Sequence, residues 1–365
     1  MNLDIQFLNA RQGDAIWIRW GAGRQIMIDM GTHKTGEKLA EQLRELPKSK
    51  RKFDLLVVTH VDVDHIGGVL SCVSEPDEPV DGLAFDDVWF NGWEHLSGKR
   101  PAGEGVRLEP MGGAQGEAFA KWLRREPWNK AFDRGPVIRS DMKPIDMGDG
   151  LTLTVIAPSQ ARLEALKPDW KGDVERAIDR GDLDEVSPGL EALGPSTPPV
   201  LESKVDLEIL AEKSAPKDPS KANGSSITLL LEWEKRRRVL LTGDGFADEL
   251  HEGLTAFGNG EPVKLDLIKT PHHGSRQNMT KALVEVVDCP LWVFSSDGTT
   301  FRHPDAQAIA RILQYGVHRN PTLAFNTPST FNGWWDNDVW RDLFGYQVRY
   351  GTVDDGLTVS FTTAQ

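Results

Sequence analysis

The segment Leu55-Leu56-Val57-Val58-Thr59-His60-Val61-Asp62-Val63-Asp64-His65 is an apolar run that ends in two imidazoles and two carboxylates within six residues. A nearly continuous apolar stretch, here Phe53–Thr59, reads as a strand buried on both faces. A buried strand holds its end rigidly, and sites beyond strand ends are common in layered α/β folds. If the backbone stays extended, positions 60, 62 and 64 point the same way, and His65 follows from the start of a helix over 66–73. Desolvating these groups together is costly unless a cation compensates them. Helix capping would account for Asp64 but would leave His60 and Asp62 without a purpose.

Two further clusters repeat the arrangement. Val239-Leu-Leu-Thr242 leads into Gly243-Asp244, and Leu265-Asp-Leu-Ile-Lys-Thr-Pro271 leads into His272-His273-Gly274-Ser275. Taken singly, a Gly-Asp turn or a His-His loop carries little. Four of the nine histidines fall in the three clusters, a convergence that packing does not require.

Outward from these clusters, strands and helices interleave, which predicts sheet layers covered by helices. Ile5–Leu8, Ala15–Trp20 and Gln25–Asp29 read as an opening antiparallel sheet, and Leu39, Leu43 and Leu46 give helical spacing over 36–46. Later strands are expected at Val88–Phe90, Leu151–Ile156, Ser226–Trp233, Arg238–Thr242, Leu265–Lys269, Leu291–Ser295, Thr322–Asn326, Gln347–Tyr350 and Thr358–Thr362. Helices are expected at 116–125, 159–166, 247–257, 281–286 and 305–315. The chain reads as a single domain over 1–365 with insertions at about 75–145 and 158–222. No fixed-period repeat occurs.

Composition narrows the class. No run of about 18 apolar residues marks a membrane span, and the start lacks the basic-then-apolar pattern of a secretory signal. Two cysteines, Cys72 and Cys289, do not make a disulfide framework. A cytoplasmic protein is the plain expectation. The net charge of -13 works against nonspecific binding to a phosphate backbone. The basic runs Lys48–Lys52 and Lys235–Arg238 precede apolar strands and read as solvated turn charges. Twelve tryptophans are expected to serve packing, with Trp334-Trp335 the best candidate for an exposed pair.

The ordered motifs His-x-Asp-x-Asp-His-x-Gly-Gly, Thr-Gly-Asp and Pro-His-His-Gly-Ser resemble the metallo-β-lactamase superfamily. More closely, they resemble the soluble metallo-β-lactamase domain of ComEC-type competence proteins. The likeness extends to Phe7–Ala15, Ile26–Asp29, Asn223–Ile227 and His303-Pro304, leaving residues about 75–145 and 158–222 uncovered. The resemblance implies an α/β fold, a four-layer αββα sandwich with two divalent metal ions at one edge. It implies that His60 and Asp62 serve one metal and Asp64 and His65 the other, with Asp244 between them. His272, nearer the strand end than His273, would complete the second site. Asp62 stands where the superfamily more often has histidine, and Asn223 stands near the place of an absent middle histidine.

Three carboxylates against two divalent ions leave about one positive charge, which a hydroxide would cancel. Carboxylate in place of imidazole hardens the donor set, so zinc and manganese are both candidates. The expected reaction is phosphodiester hydrolysis, as a nuclease or nucleotide phosphodiesterase, by a metal-bound hydroxide. Asp64 would orient the nucleophile, and His273 or His303 would meet the substrate or serve the leaving group. Nucleic acid is a possible substrate, though the acidic charge opposes long polymers. Hydrolysis of a lactone, thioester or other acyl bond is the alternative, since fold is not function. A further alternative is a catalytically degenerate metal-binding interaction protein.

Overall fold

The computed structural model describes residues 2–74, 78–98, 119, 122–168 and 193–363. Two sheets dominate. The first orders its strands Leu357–Thr362, Asn2–Phe7, Ala15–Trp20, Arg24–Met30, Leu55–Val57, Val88–Trp89. The second orders Gln347–Tyr350, Thr322–Phe325, Leu291–Phe294, Leu267–Lys269, Arg237–Leu241, Thr228–Trp233, Leu151–Ala157, Ile145–Gly148. Hairpins build most of the antiparallel parts of both sheets, completed by the long-range pairs of Asn2–Phe7 with Leu357–Thr362 and of Leu151–Ala157 with Thr228–Trp233. Arg24–Met30, Leu55–Val57 and Val88–Trp89 run parallel, as do the five strands from Arg237–Leu241 to Gln347–Tyr350.

Side-chain alternation along each strand sorts residues into layers. Ile26, Ile28, Leu55 and Val57 face Leu153, Leu229, Leu231, Val239 and Leu267 in a core between the sheets. Their neighbours Met27, Leu56 and Val58 face the other way, onto Leu39 and Leu43 of helix His33–Glu45 and Ile66 and Val69 of helix Val63–Val69. Leu230, Leu240 and Ile268 of the second sheet likewise meet Leu207, Leu250, Leu254, Leu283 and Ile309 on four outer helices. Helix, sheet, sheet, helix is the αββα sandwich. Each apolar stripe buries itself only by taking its place in this stack.

The expected strands and helices recur with small shifts. The stretch Phe53–Thr59 is not one strand. Lys52–Phe53 pairs with Ala84–Phe85 in a separate two-stranded sheet, and Leu55–Val57 enters the large sheet. The expected helix over 116–125 lies largely outside the described residues. The basic runs serve local structure. Arg237 pairs with Asp266 at 2.7 Å and Arg238 with Glu232 at 2.7 Å. Trp334-Trp335 is not an exposed pair. Trp335 is 1% exposed, packs on Trp340 and Tyr346, and accepts the Tyr346 hydroxyl at its carbonyl. Among the described residues no helix is long and apolar enough to cross a membrane.

Candidate metal centre

The parallel strands point their C-terminal ends to one edge of the sandwich, and the polar clusters sit there. His60 follows Leu55–Val57, Asp244 follows Arg237–Leu241, and His272-His273 follow Leu267–Lys269. Asp62 precedes helix Val63–Val69, whose first turn carries Asp64 and His65. Gly68 seats this helix: its N–H donates to the Gly31 carbonyl at 2.8 Å, and a Cβ there would stand 2.0 Å from the Met30 carbonyl oxygen.

The rings are held by their Nδ1 atoms. His65 Nδ1 is 2.7 Å from Asp29 Oδ2, and the carboxylate only accepts, so the ring nitrogen carries the proton. Asp29 also accepts from the Thr59 amide at 2.8 Å and the Thr59 hydroxyl at 2.7 Å. His60 Nδ1 lies 3.0 Å from Thr59 Oγ1 and 3.1 Å from Ser226 Oγ. His273 Nδ1 donates to the Ser295 carbonyl at 2.7 Å. His272 Nδ1 lies 3.0 Å from Asn278 Oδ1 and 3.2 Å from Asp218 Oδ2.

Anchored this way, the Nε2 atoms converge on one carboxylate oxygen. Asp244 Oδ2 is 4.0 Å from His60 Nε2, 3.3 Å from His65 Nε2, 4.0 Å from His272 Nε2 and 3.4 Å from His273 Nε2. Asp62 Oδ2 is 3.6 Å from His60 Nε2, and Asp64 Oδ2 is 3.9 Å from His273 Nε2. The side chain of Asp62 is 36% exposed and that of Asp64 is 12% exposed, whereas Asp244 is buried, so the cluster opens toward Asp62.

The pair His272-His273 needs the turn that holds it. Both residues take left-handed backbone, with φ 47° and 52°, and their rings stand 74° apart. In position, His273 and not His272 stands with Asp64 and His65. Asn223 donates from Nδ2 to Asp218 Oδ2 at 2.9 Å, while its Oδ1 is buried without a hydrogen-bond partner. His303 is 1% exposed and 5.6 Å from the His272 ring; neither ring nitrogen has a hydrogen-bond partner, and Nδ1 lies 3.8 Å from Asp305 Oδ2.

Charge is strongly organised here. Burial opposes the charge on His65, but Asp244 and Asp29 more than offset it and hold its pKa well above the ordinary value. Burial would raise Asp244, yet His273, His65 and His272 outweigh that and hold it well below the carboxylate range. Burial pushes Asp64 up, only partly countered by His65 and His273. Burial, with His272 and His273 beside it, keeps His303 well below the usual imidazole range.

Three of these rings, His60, His65 and His273, have a buried Nε2 with no hydrogen-bond partner. Buried polar atoms of that kind call for an occupant, and a cation is the one that imidazole lone pairs and carboxylates share. Ligand atoms of His60, His65 and Asp244 lie within 4.8 Å of one another, as do those of Asp64, His65 and His273. The donor set therefore fits divalent metal. Local sequence pattern passed over Asp14, Asp29, Asp218, Lys269 and Asn278. Asp29 ends the apolar run Ile26–Ile28, the same signal that marked Asp244, whereas Asp14 precedes its strand, Ala15–Trp20.

An αββα sandwich with a histidine–aspartate cluster at one edge defines a class of metal-dependent hydrolases. The chain belongs to the metallo-beta-lactamase superfamily, whose family model matches residues 8–298. It is thus an enzyme of a superfamily made mostly of hydrolytic metalloenzymes. Similar solved structures include the Cronobacter sakazakii metallo-beta-lactamase with a HARLDQ motif, at 9% identity over 72% of this chain and 73% of that one, with TM-score 0.31. A long-form RNase Z from yeast is similar at 10% identity over 89% of this chain and 37% of that one, with TM-score 0.36. The metallo-β-lactamase MIM-1 from Novosphingobium pentaromativorans is similar at 11% identity over 84% and 85%, with TM-score 0.31. No curated protein matches the chain.

Proposed function

We propose that the chain is a two-cation phosphodiesterase acting on a nucleic acid or nucleotide derivative. His60, Asp62 and Asp244 would hold one cation, and Asp64, His65, His273 and Asp244 the other. The observation that carries this reading is the convergence of anchored imidazole Nε2 atoms on Asp244 Oδ2, at 3.3 to 4.0 Å. When bound, such cations lower the pKa of water and neutralise charge that develops on the substrate.

The chain's own residues prepare that chemistry. Asp29, Ser295 and the Thr59–Ser226 pair fix the Nδ1 side of His65, His273 and His60 and so aim each Nε2 lone pair inward. Asp64, near the opening, would accept a hydrogen bond from the attacking water. His303, buried beside His272, is assigned a positioning role and no contact with substrate. The acidic donors Asp62 and Asp64 support an oxygen-preferring cation such as manganese beside zinc. The motif likeness to ComEC-type domains supports phosphodiester over acyl chemistry.

Purified protein loaded with zinc or manganese should cleave bis-p-nitrophenyl phosphate or single-stranded DNA. Asp64→Ala should abolish that cleavage while preserving the circular-dichroism spectrum. Turnover of a lactone alone would overturn the phosphodiester assignment, and failure to take up metal would overturn the metal centre.

A further inference from the structure

Lys269 closes the strand Leu267–Lys269 and is completely buried at the rim of the histidine cluster. Its Nζ lies 2.5 Å from Asp14 Oδ2, 3.2 Å from the Gly243 carbonyl oxygen and 3.7 Å from Asp244 Oδ1. Among the described residues, no other lysine or arginine forms an ion pair with Asp14 or Asp244. A buried ammonium is costly unless paired, and an aliphatic side chain would fill the same space without that cost. The charge therefore has a purpose beyond packing.

The two oxygens of Asp244 divide their surroundings. Oδ2 faces the four imidazoles, and Oδ1 faces Lys269. Asp14 mirrors this on the other side of the ammonium. Its Oδ2 holds Lys269, and its Oδ1 lies 3.7 Å from His273 Nδ1. Ligand atoms of Asp14, Asp244 and His273 come within 4.8 Å of one another, so this corner offers the donors of a further cation site. The ammonium already stands beside it.

We infer that Lys269 is a built-in third cation that neutralises Asp244 Oδ1 and competes there with metal, leaving only Oδ2 for the metals, with Asp14 balancing its charge. This rests on the two-cation reading above. It also explains why the strand ends in lysine before Thr270-Pro271-His272: only a long cationic side chain can span from that strand to both acids. With Lys269 in place, the corner formed by Asp14 and Asp244 repels additional metal.

The test is a double-mutant cycle on metal affinity in the full chain, read by chelator competition with zinc and manganese and by the visible spectrum of the cobalt-loaded protein. Lys269→Met keeps the stem and deletes the charge that repels the metals, so affinity should rise, by about tenfold, with a changed cobalt spectrum. Asp14→Asn leaves the ammonium uncompensated beside the metals, so affinity should fall by about tenfold or more. The double variant should return to within about threefold of wild type, because the two changes cancel in charge. Two single variants that both weaken binding, with the double variant weaker still, would reduce the pair to a structural prop and overturn the inference. If Lys269→Met does not fold, the comparison of Asp14→Asn with the double variant decides: tighter binding by the double variant supports the inference and equal or weaker binding overturns it. Wild-type protein that takes up no metal would instead sink the metal-centre reading, and the inference with it.

Discussion

Gly13→Ala tests how the first hairpin sets the position of a proposed ligand. Gly13 lies between Gln12 and Asp14, against the backbone of helix Val63–Val69. A Cβ there would stand 1.7 Å from the Asp64 carbonyl oxygen, 2.6 Å from its carbon and 2.9 Å from its Cβ. Ordinary contact begins at 3.4 Å, so the deficit is 3.4 − 1.7 = 1.7 Å. Neither partner gives way freely. Gly13 donates to the Ala10 carbonyl at 3.2 Å and accepts from Ser295 Oγ at 3.3 Å, while the adjacent Gly68 amide ties the helix to Gly31. Overpacking of this kind costs roughly 1–3 kcal/mol. At roughly 2–4 °C per kcal/mol for a sizeable domain, melting should fall by roughly 2–12 °C. The effect on metal is larger, because ligand distances tolerate only about 0.2 Å. On the proposed two-cation reading, moving Asp64 should remove one of the two ions. Metal content by elemental analysis and melting by calorimetry, beside a Gly333→Ala control whose Cβ meets nothing within 4 Å, measure both effects. A Gly13→Ala protein with wild-type melting and full metal content would refute the reasoning.

Two further outcomes are measurable, one at the cluster and one away from it. Asp29→Asn removes the carboxylate that holds His65 Nδ1 at 2.7 Å, so metal affinity should fall by about 10- to 100-fold while the fold survives; unchanged affinity in chelator competition would contradict that. Away from the cluster, burial drives the His95 pKa from 6.5 to about 4, against weaker support from the carbonyls of Arg134 and Phe90. His95 is therefore neutral in the fold, and the unfolded chain binds the extra proton first. Its contribution to stability is complete above pH 6.5 and is lost as pH falls toward 4, a loss of roughly 3 kcal/mol. Urea midpoints at pH 7.5 and 4.5 should show this slope in wild type and a shallower one in His95→Gln; equal slopes would argue against it.

How much was legible in the sequence depends on the distance over which each cause acts. The alternation of Ile26, Met27 and Ile28 and the spacing of Leu39 and Leu43 are local, and they predict strands, helices and layers that the structure contains. The break at Asp54 was not legible, because it depends on Lys52–Phe53 finding Ala84–Phe85 about thirty residues on. The same holds for Trp335, whose burial depends on Trp340 and Tyr346 folding back over it.

The polar strand ends at His60, Asp244 and His272-His273 were readable because charge directly after an apolar run is a local pattern that packing alone seldom produces. Which of the adjacent histidines stands beside Asp64 was set by two left-handed backbone residues in a turn, a conformation that sequence spacing does not encode. The meeting of Asp14, Lys269 and Asp244 was settled only by tertiary structure. These residues lie on three separate segments, and strand order in two packed sheets brings them within 4 Å. Sequence thus determined which side chains leave the strand ends, since that follows from a two-residue period. The sandwich decided which of them share a site, since that follows from register and packing between distant parts of the chain.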